Sequence, residues 1–452
     1  MSMLLSSLGI SIPNVALPTI AQAFGAPFQE VQWVVIAYLL SITVVIVSVG
    51  RLGDILGHRR VLLAGIFLFT TASVLCGIAP TLLTLIAARA VQGFGAAILM
   101  AMPAALVREA VPKERTGSAM GLLGTMSAIG TALGPSLGGL LLAGPGWRSV
   151  FIVMVPLGLV NLLVAQRFLP VKAPSAKVGN GGFDKLGTLL LGGTLACYAL
   201  AVTAGKGQFG QLNTILMSAA AVGVVLFLLV QTRVASPLIR LSEFRNPVLS
   251  ASLAMNVLVA TVMMSTLVVG PFYLSRALGL KDALVGAVMA IGPVISTFCG
   301  VPAGRIVDRL GPTKVVFIGL LQMAAGAFAL SFLPSMFGIA GYILAVFILT
   351  PGYQLFQAAN NTAVMIDVPQ DQRGVISGML SLARNLGLIT GASVMGALFA
   401  HAAMTSDFST ANPDAVANGM HVTFAVAGCL VALAFGIAMV ALRSLATKRS
   451  AN

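Results

Sequence analysis

The chain has 452 residues, 58% of them hydrophobic and only 8% charged, with a mean hydropathy of +1.01. A soluble globular domain carries about a quarter charged residues, so this composition excludes a soluble enzyme or binding module and reads as an all-α polytopic membrane protein. The formal charge of +14 does not point to nucleic acid, because the Lys and Arg come in short runs between apolar stretches, which is how membrane topology is written.

A spanning helix takes about 20 mostly apolar residues. Cutting the chain at its charge and Pro/Gly clusters predicts fourteen, near 1–17, 31–50, 61–79, 82–106, 117–142, 149–168, 186–205, 212–232, 248–273, 283–303, 314–333, 337–359, 375–402 and 421–442. No Lys or Arg precedes the first apolar run, so a cleaved signal peptide is not indicated and the first span is expected to stay in the mature protein. Cys76, Cys197, Cys299 and Cys429 lie singly inside apolar runs and are expected to pack, not to bind metal or form redox pairs. His58, His401 and His421 fall at membrane edges without metal-ligand spacing and are expected in solvent. No cofactor and no metal are expected.

Orientation follows from the basic residues. Twenty of the 26 Lys and Arg fall in one alternating set of loops and the C-terminal tail, against Arg148, Lys206, Arg276 and Lys281 in the other set; Arg89 and Arg384 fall inside spans. Positive side chains are retained on the cytoplasmic side, which places both termini there.

The first loop of the basic set runs Gly50-Arg51-Leu52-Gly53-Asp54-Ile55-Leu56-Gly57-His58-Arg59-Arg60. At an offset of about 254 residues, Gly304-Arg305-Ile306-Val307-Asp308-Arg309-Leu310-Gly311 repeats its frame. A second echo, at an offset of about 257, sets Gly121, Gly130, Gly134 and Gly139 against Gly378, Gly387, Gly391 and Gly396. The chain reads as an internal duplication, with a polar stretch at Lys172–Lys185 closing the first half. The expected organisation is a six-helix bundle over 1–168, a cytoplasmic linker over 169–185, two inserted helices over 186–232, a second linker over 233–247, and a second six-helix bundle with tail over 248–452.

Three more stretches carry chemistry. Leu85, Arg89, Gln92, Gly93, Gly95, Ala96 and Ala97 put Arg89 and Gln92 on one helical face. A guanidinium in the bilayer costs from ~3 to above 10 kcal/mol depending on method and nearly always faces a partner or cavity. The run Gly130-Thr131-Ala132-Leu133-Gly134-Pro135-Ser136-Leu137-Gly138-Gly139 combines close-approach glycines with a bend at Pro135. Leu8-Gly9-Ile10-Ser11-Ile12-Pro13-Asn14-Val15-Ala16-Leu17-Pro18 occupies the first span.

With these stretches the chain resembles the major facilitator superfamily, and within it the fourteen-spanning drug:proton antiporters, over nearly its whole length. The resemblance implies two pseudo-symmetric six-helix bundles with a two-helix insertion, arranged 6+2+6, and a substrate site near the midplane between the bundles. It implies that Gly50, Arg51, Asp54, Gly57, Arg59 and Arg60, with Gly304, Arg305, Asp308 and Gly311, act as a cytoplasmic gate; an ordinary positive-inside loop would explain the arginines but not the paired Asp and Gly. Arg89 is implied in proton coupling, against the simpler reading of a structural Arg bonded to carbonyls and Gln92. Gly130, Gly134, Pro135, Gly138 and Gly139 resemble the span-five signature of antiporters.

One departure stands out. Where the family's first-helix motif carries an aspartate, this chain has Gly9, and all twelve Asp and Glu fall in loops or at helix ends. No carboxylate is expected inside the bilayer, although a proton-coupled exporter ordinarily uses one with a raised pKa. Arg89 and Arg384 in the spans favour neutral or anionic substrates over cations. Asn14, Trp33, Tyr38, Asn256, Tyr353, Gln354, Gln357, Asn360 and Asn361 are the polar and aromatic cavity candidates; Trp33 and Tyr38 equally suit an interface belt, and Asn360 and Asn361 a helix cap. The expected task is proton-driven efflux of small amphipathic, drug-like compounds by alternating access, from a bacterial-type inner membrane, with small-molecule substrate, protons and lipid as partners and no nucleic acid. The protein is expected to be a monomer and not an enzyme, since no nucleophile, base and orienting residue converge. The alternatives are a facilitator or importer of a small organic anion and a non-transporting membrane receptor or assembly factor.

Overall fold

Inside a bilayer no water satisfies the backbone, so an apolar chain must close its hydrogen bonds within each segment, and this chain does so with helices. The structure is a computed structural model that describes residues 1–110, 116–169, 184–203, 210–234, 237, 244, 246–366, 373–404 and 411–450. In chain order the helices are α1 (Ser2–Phe24), α2 (Phe28–Val31), α3 (Trp33–Leu56), α4 (His58–Ile78), α5 (Leu82–Ala110), α6 (Thr116–Ala143), α7 (Ser149–Ile152), α8 (Met154–Phe168), α9 (Lys185–Thr203), α10 (Gln211–Arg233), α11 (Pro247–Phe272), α12 (Asp282–Leu310), α13 (Pro312–Met365), α14 (Arg373–Thr390), α15 (Gly396–Ala402) and α16 (Pro413–Ser450). Among the described residues there is no strand, and twelve helices are long and apolar enough to cross a membrane.

The differences from the predicted spans have local causes. The first helix runs on to Phe24 and ends at Gly25, whose φ of 57° closes it in the left-handed conformation that glycine adopts without a Cβ penalty. The spans expected at 314–333 and 337–359 fall within α13, which is interrupted at Gly338 (φ 55°, ψ −130°). The last span starts eight residues before 421, at Pro413. Helices α11 and α14 each run into a π-helical turn, Tyr273–Ala277 and Gly391–Met395; in the first case Pro271 lies just upstream and supplies no N–H to the ladder.

The chain divides into two units: Met1–Leu238 with Lys281–Ala290, and Ile239–Leu280 with Ile291–Asn452. In the first unit α5 packs on α3 and α4, α1 packs on α6, and α9 and α10 pair with each other. The α9–α10 pair is tied to α3 by Trp33, whose ring N–H donates to Thr203 at 3.0 Å. Its other end is clipped by buried Asp184. One carboxylate oxygen accepts from the Gly187 N–H at 2.7 Å and caps α9, and the other accepts from Gln231 of α10, also at 2.7 Å. In the second unit α13 packs on α16, and α11 on α14 and α16.

The two units repeat their turns in detail. Gly57 (φ 92°) and Gly311 (φ 82°), 254 apart, each end one helix and begin the next. The Gly57 N–H donates to Gly53 O at 2.8 Å and the Gly311 N–H to Val307 O at 2.9 Å; the N–H groups of Val61 and Val315 then return to Gly57 O and Gly311 O. Only a residue free of the Cβ clash holds such a φ cheaply.

Candidate functional site

A buried polar network in the first unit begins with a proline. In α1, Pro13 has no N–H to give to the carbonyl four residues back, which leaves Gly9 O without its helical donor. Arg89 of α5 supplies it: Nη2 donates to Gly9 O at 3.0 Å, Nε to Val34 O of α3 at 2.8 Å, and Nη1 to Gln92 Oε1 at 2.5 Å. Arg89 and Gln92 are three apart on one face, and both are 0% exposed. The guanidinium lies 4.0 Å above the Tyr38 ring centroid, a cation–π contact that gains strength when desolvated. Tyr38 is fixed in turn by donating its hydroxyl to Ser6 O at 2.9 Å.

The network continues beyond Arg89. Gln92 Nε2 donates to Ser73 Oγ of α4 at 2.7 Å and lies 3.6 Å from Met154 Sδ of α8, while Ser73 Oγ donates to Phe69 O. A cation is thus held at the crossing of α1, α3 and α5 by carbonyl dipoles, an amide oxygen and a ring face. Among the described residues no carboxylate reaches it. Geometry also explains the glycine in the first-helix motif: a Cβ on Gly9 would stand 2.5 Å from Tyr38 Oη and 3.1 Å from Cζ. The tyrosine hydroxyl fills the space a larger residue would need.

The other candidate residues are placed as follows. At the Gly50–Arg60 turn, the side chains of Gly50, Arg51 and Asp54 lie outside the described residues. Arg59 donates to Gln166 O at 2.8 Å, joining the start of α4 to the end of α8, and Arg60 is exposed. In the second copy Arg305 and Asp308 are exposed on α12 and Gly304 meets nothing that a Cβ would strike. The α6 glycines separate into tight and loose positions. A Cβ on Gly130 would lie 2.5 Å from Leu4 O, and one on Gly134 would collide with the Ser11 side chain. A Cβ on Gly139 would lie 2.8 Å from the Cα of Gly286 at the start of α12, whereas one on Gly138 would lie 3.3 Å from Ile12 O, 3.5 Å from Ile12 Cγ2 and 3.6 Å from Val15 Cβ. Ser11 uses that closeness to donate to Gly130 O, and in the second unit Thr261 donates likewise to Gly387 O.

Asn14 is fully buried and donates to Ile10 O, with its Oδ1 unpartnered. Trp33 serves the α9 contact already described. In α13, Gln357 donates to the Tyr353 hydroxyl at 3.0 Å, Gln354 bonds Ser296, and Asn360 is buried. Asn360 and Asn361 sit inside α13, not at its cap. Arg384 is half-buried on α14 next to buried Asn385. His421, expected in solvent, instead meets Ser331 Oγ at 2.9 Å and stacks edge-on with Phe332, because α16 begins early enough to bring it inside the helix pair. Sequence reasoning passed over Gln29, Gln32 and Ser73. For the first two a signal existed in the spacing of two glutamines three apart at the mouth of a span.

Known proteins share both this sequence and this fold. The model for the Major Facilitator Superfamily matches residues 1–392. The riboflavin transporter RibZ of Clostridioides difficile is 31% identical over 88% of this chain and 86% of its own. The multidrug resistance protein Stp of Mycobacterium tuberculosis is 31% identical over 86% of this chain and 72% of its own. Among solved structures, a bacterial homologue of the human lysosomal transporter Spinster, inward-facing and unoccupied, superposes with a TM-score of 0.71 at 15% identity over 98% of this chain and 95% of that one.

Proposed function

The chain belongs to the Major Facilitator Superfamily and is a multi-pass membrane transporter, and from that premise we propose that it exports small amphipathic, drug-like compounds by alternating access, driven by proton entry. Relatives named as multidrug resistance and efflux proteins support export. The observation that carries the reading is the Arg89 network, a fully buried cation fixed at a three-helix crossing in the first unit. Such a centre is costly to build in a membrane and marks a functional pathway by default. Its positive charge, met by carbonyl and amide oxygens and by no carboxylate among the described residues, favours neutral or anionic cargo.

The finer topology is part of the same proposal. The twelve crossing helices become fourteen when α13 is divided at Gly338 and α6, whose apolar part is Ile129–Ala143, is counted. Two bundles flanking the inserted α9 and α10, both termini in the cytoplasm, a cytoplasmic gate at the Gly57 and Gly311 turns, and a monomer in a bacterial-type inner membrane complete it.

A second reading, a facilitator without proton coupling, is favoured by one observation: Arg89 is balanced by carbonyls, with no carboxylate to load and unload a proton. Proteoliposomes decide. Wild type and Arg89→Ala are assayed for flux of ethidium, riboflavin and a neutral amphipath, with and without an imposed pH gradient. Substrate-dependent proton movement that disappears in the variant supports antiport; flux indifferent to the gradient transfers the case to the facilitator; no flux of any compound ends the transport proposal.

A further inference from the structure

The hydrogen-bonding capacity that the fold leaves unused has one chemical character. Of twelve buried side-chain nitrogen and oxygen atoms without a partner among the described residues, ten belong to Asn or Gln and none to an acid. The densest group is Gln29 and Gln32, 4% and 1% exposed, in which both amide atoms of both residues are unpartnered. Gln29 lies in α2, and Gln32, with φ −53° and ψ −30°, continues the helical path into α3. Three residues apart, the two amides share one face. Glu30 between them is exposed, while Phe28 and Val31 beside them are buried.

A buried amide with no partner costs free energy, and buried polar groups are nearly always bonded. An amide kept for the architecture would have found partners, as Asn213 does by donating to Ala201 O and accepting from the Gly210 N–H. Trp33, the next residue, has its own N–H committed to Thr203, so it does not serve the pair. Each primary carboxamide presents an acceptor beside two donors, the arrangement that pairs in two places with an edge carrying an N–H next to a C=O. The same pairing rule lets Asn and Gln read adenine. A charged group is disfavoured there, since burial penalises it.

We propose that Gln29 and Gln32 are substrate-reading residues of the first unit, and that the group they read is an uncharged donor–acceptor edge, an amide, lactam or imide, on the transported compound. This rests on the transport reading above and narrows its substrate class.

The test pairs riboflavin, whose ring imide has a free N–H, with 3-methylriboflavin, which lacks it, and uses ethidium as a cationic control. Binding is measured by equilibrium dialysis on the purified full chain, and flux in proteoliposomes. Wild type should bind and carry riboflavin in preference to the methylated flavin by about tenfold, the worth of one good hydrogen bond. Gln29→Met and Gln32→Met, close in shape, should each lose that preference. Without ligand, their apparent Tm should equal or exceed that of wild type, since an apolar side chain replaces an unpartnered polar one. Gln29→Glu and Gln32→Glu, which keep the shape but not the amide, should lose the preference as well. A wild type that treats the two flavins alike or prefers ethidium, variants that keep the preference, or Met variants melting several degrees lower would each overturn the proposal while leaving transport intact. No flux of any of the three compounds would overturn the transport reading and this inference with it.

Discussion

Pro13 and Arg89 should be energetically coupled through one carbonyl. Gly9 O has no helical donor and accepts from Arg89 Nη2 at 3.0 Å. Arg89→Ala removes three charge-assisted bonds and the stacking on Tyr38, and leaves Gly9 O orphaned. The variant leaves no buried charge behind, so the cost falls on the acceptors that it strands, and an orphaned buried carbonyl such as Gly9 O accounts for ~1–3 kcal/mol. Pro13→Ala restores an N–H four residues after Gly9, so in that background the carbonyl keeps a partner when the arginine is lost. The double-mutant cycle should therefore show Arg89→Ala costing about 1–2 kcal/mol less in the Pro13→Ala background than with the native proline. Unfolding in mixed detergent and SDS micelles, with both single variants and the double variant, measures it. Additivity within about 0.5 kcal/mol would refute the claim that proline and arginine share that carbonyl.

Three further outcomes follow from the packing. On α6, Gly130→Ala and Gly139→Ala should destabilise by about 1–3 kcal/mol, because the added methyl meets Leu4 O or the Gly286 backbone, while Gly138→Ala should be near neutral; thermal melting of the purified variants ranks them. At the repeated turns, Gly57→Ala and Gly311→Ala should each cost about 1–2 kcal/mol for the strained positive φ, whereas Gly304→Ala, in open helical space, should hold or raise stability by up to ~1 kcal/mol. Asp184→Ala should cost about 2 kcal/mol by removing a helix cap and stranding the Gln231 amide, seen as a lower melting temperature; an unchanged value would show that the clip does not hold α9 to α10.

Hydropathy and charge alone reveal that the chain crosses a membrane many times, because a helix in lipid has to be apolar for a fixed length and the loops must carry the charge. The Gly57 and Gly311 turns were legible for the same kind of reason: positive φ selects glycine locally, whatever the partner. Arg89 and Gln92 were legible as a pair because they share one helix face. Their acceptors were not, since Gly9 O and Val34 O lie 80 and 55 residues away and a backbone carbonyl leaves no mark in a sequence.

Sequence also misjudged what depends on the neighbour. His421 looked like an edge residue in solvent, and for Trp33 the sequence offered no hydrogen-bond partner. Their roles are set by Ser331 and Thr203, which only packing brings within reach. The four glycines of the α6 signature look uniform when written out, yet three of them would set a Cβ closer than 3.0 Å to a neighbour and Gly138 would not, because α1 and the start of α12 press on different sides of the helix. What the chain fixed by itself was every property that a single helix or turn can express through its own length, polarity and backbone freedom. What tertiary structure decided was which buried polar groups are paired and which are left over, because burial turns the identity of the nearest atom into free energy.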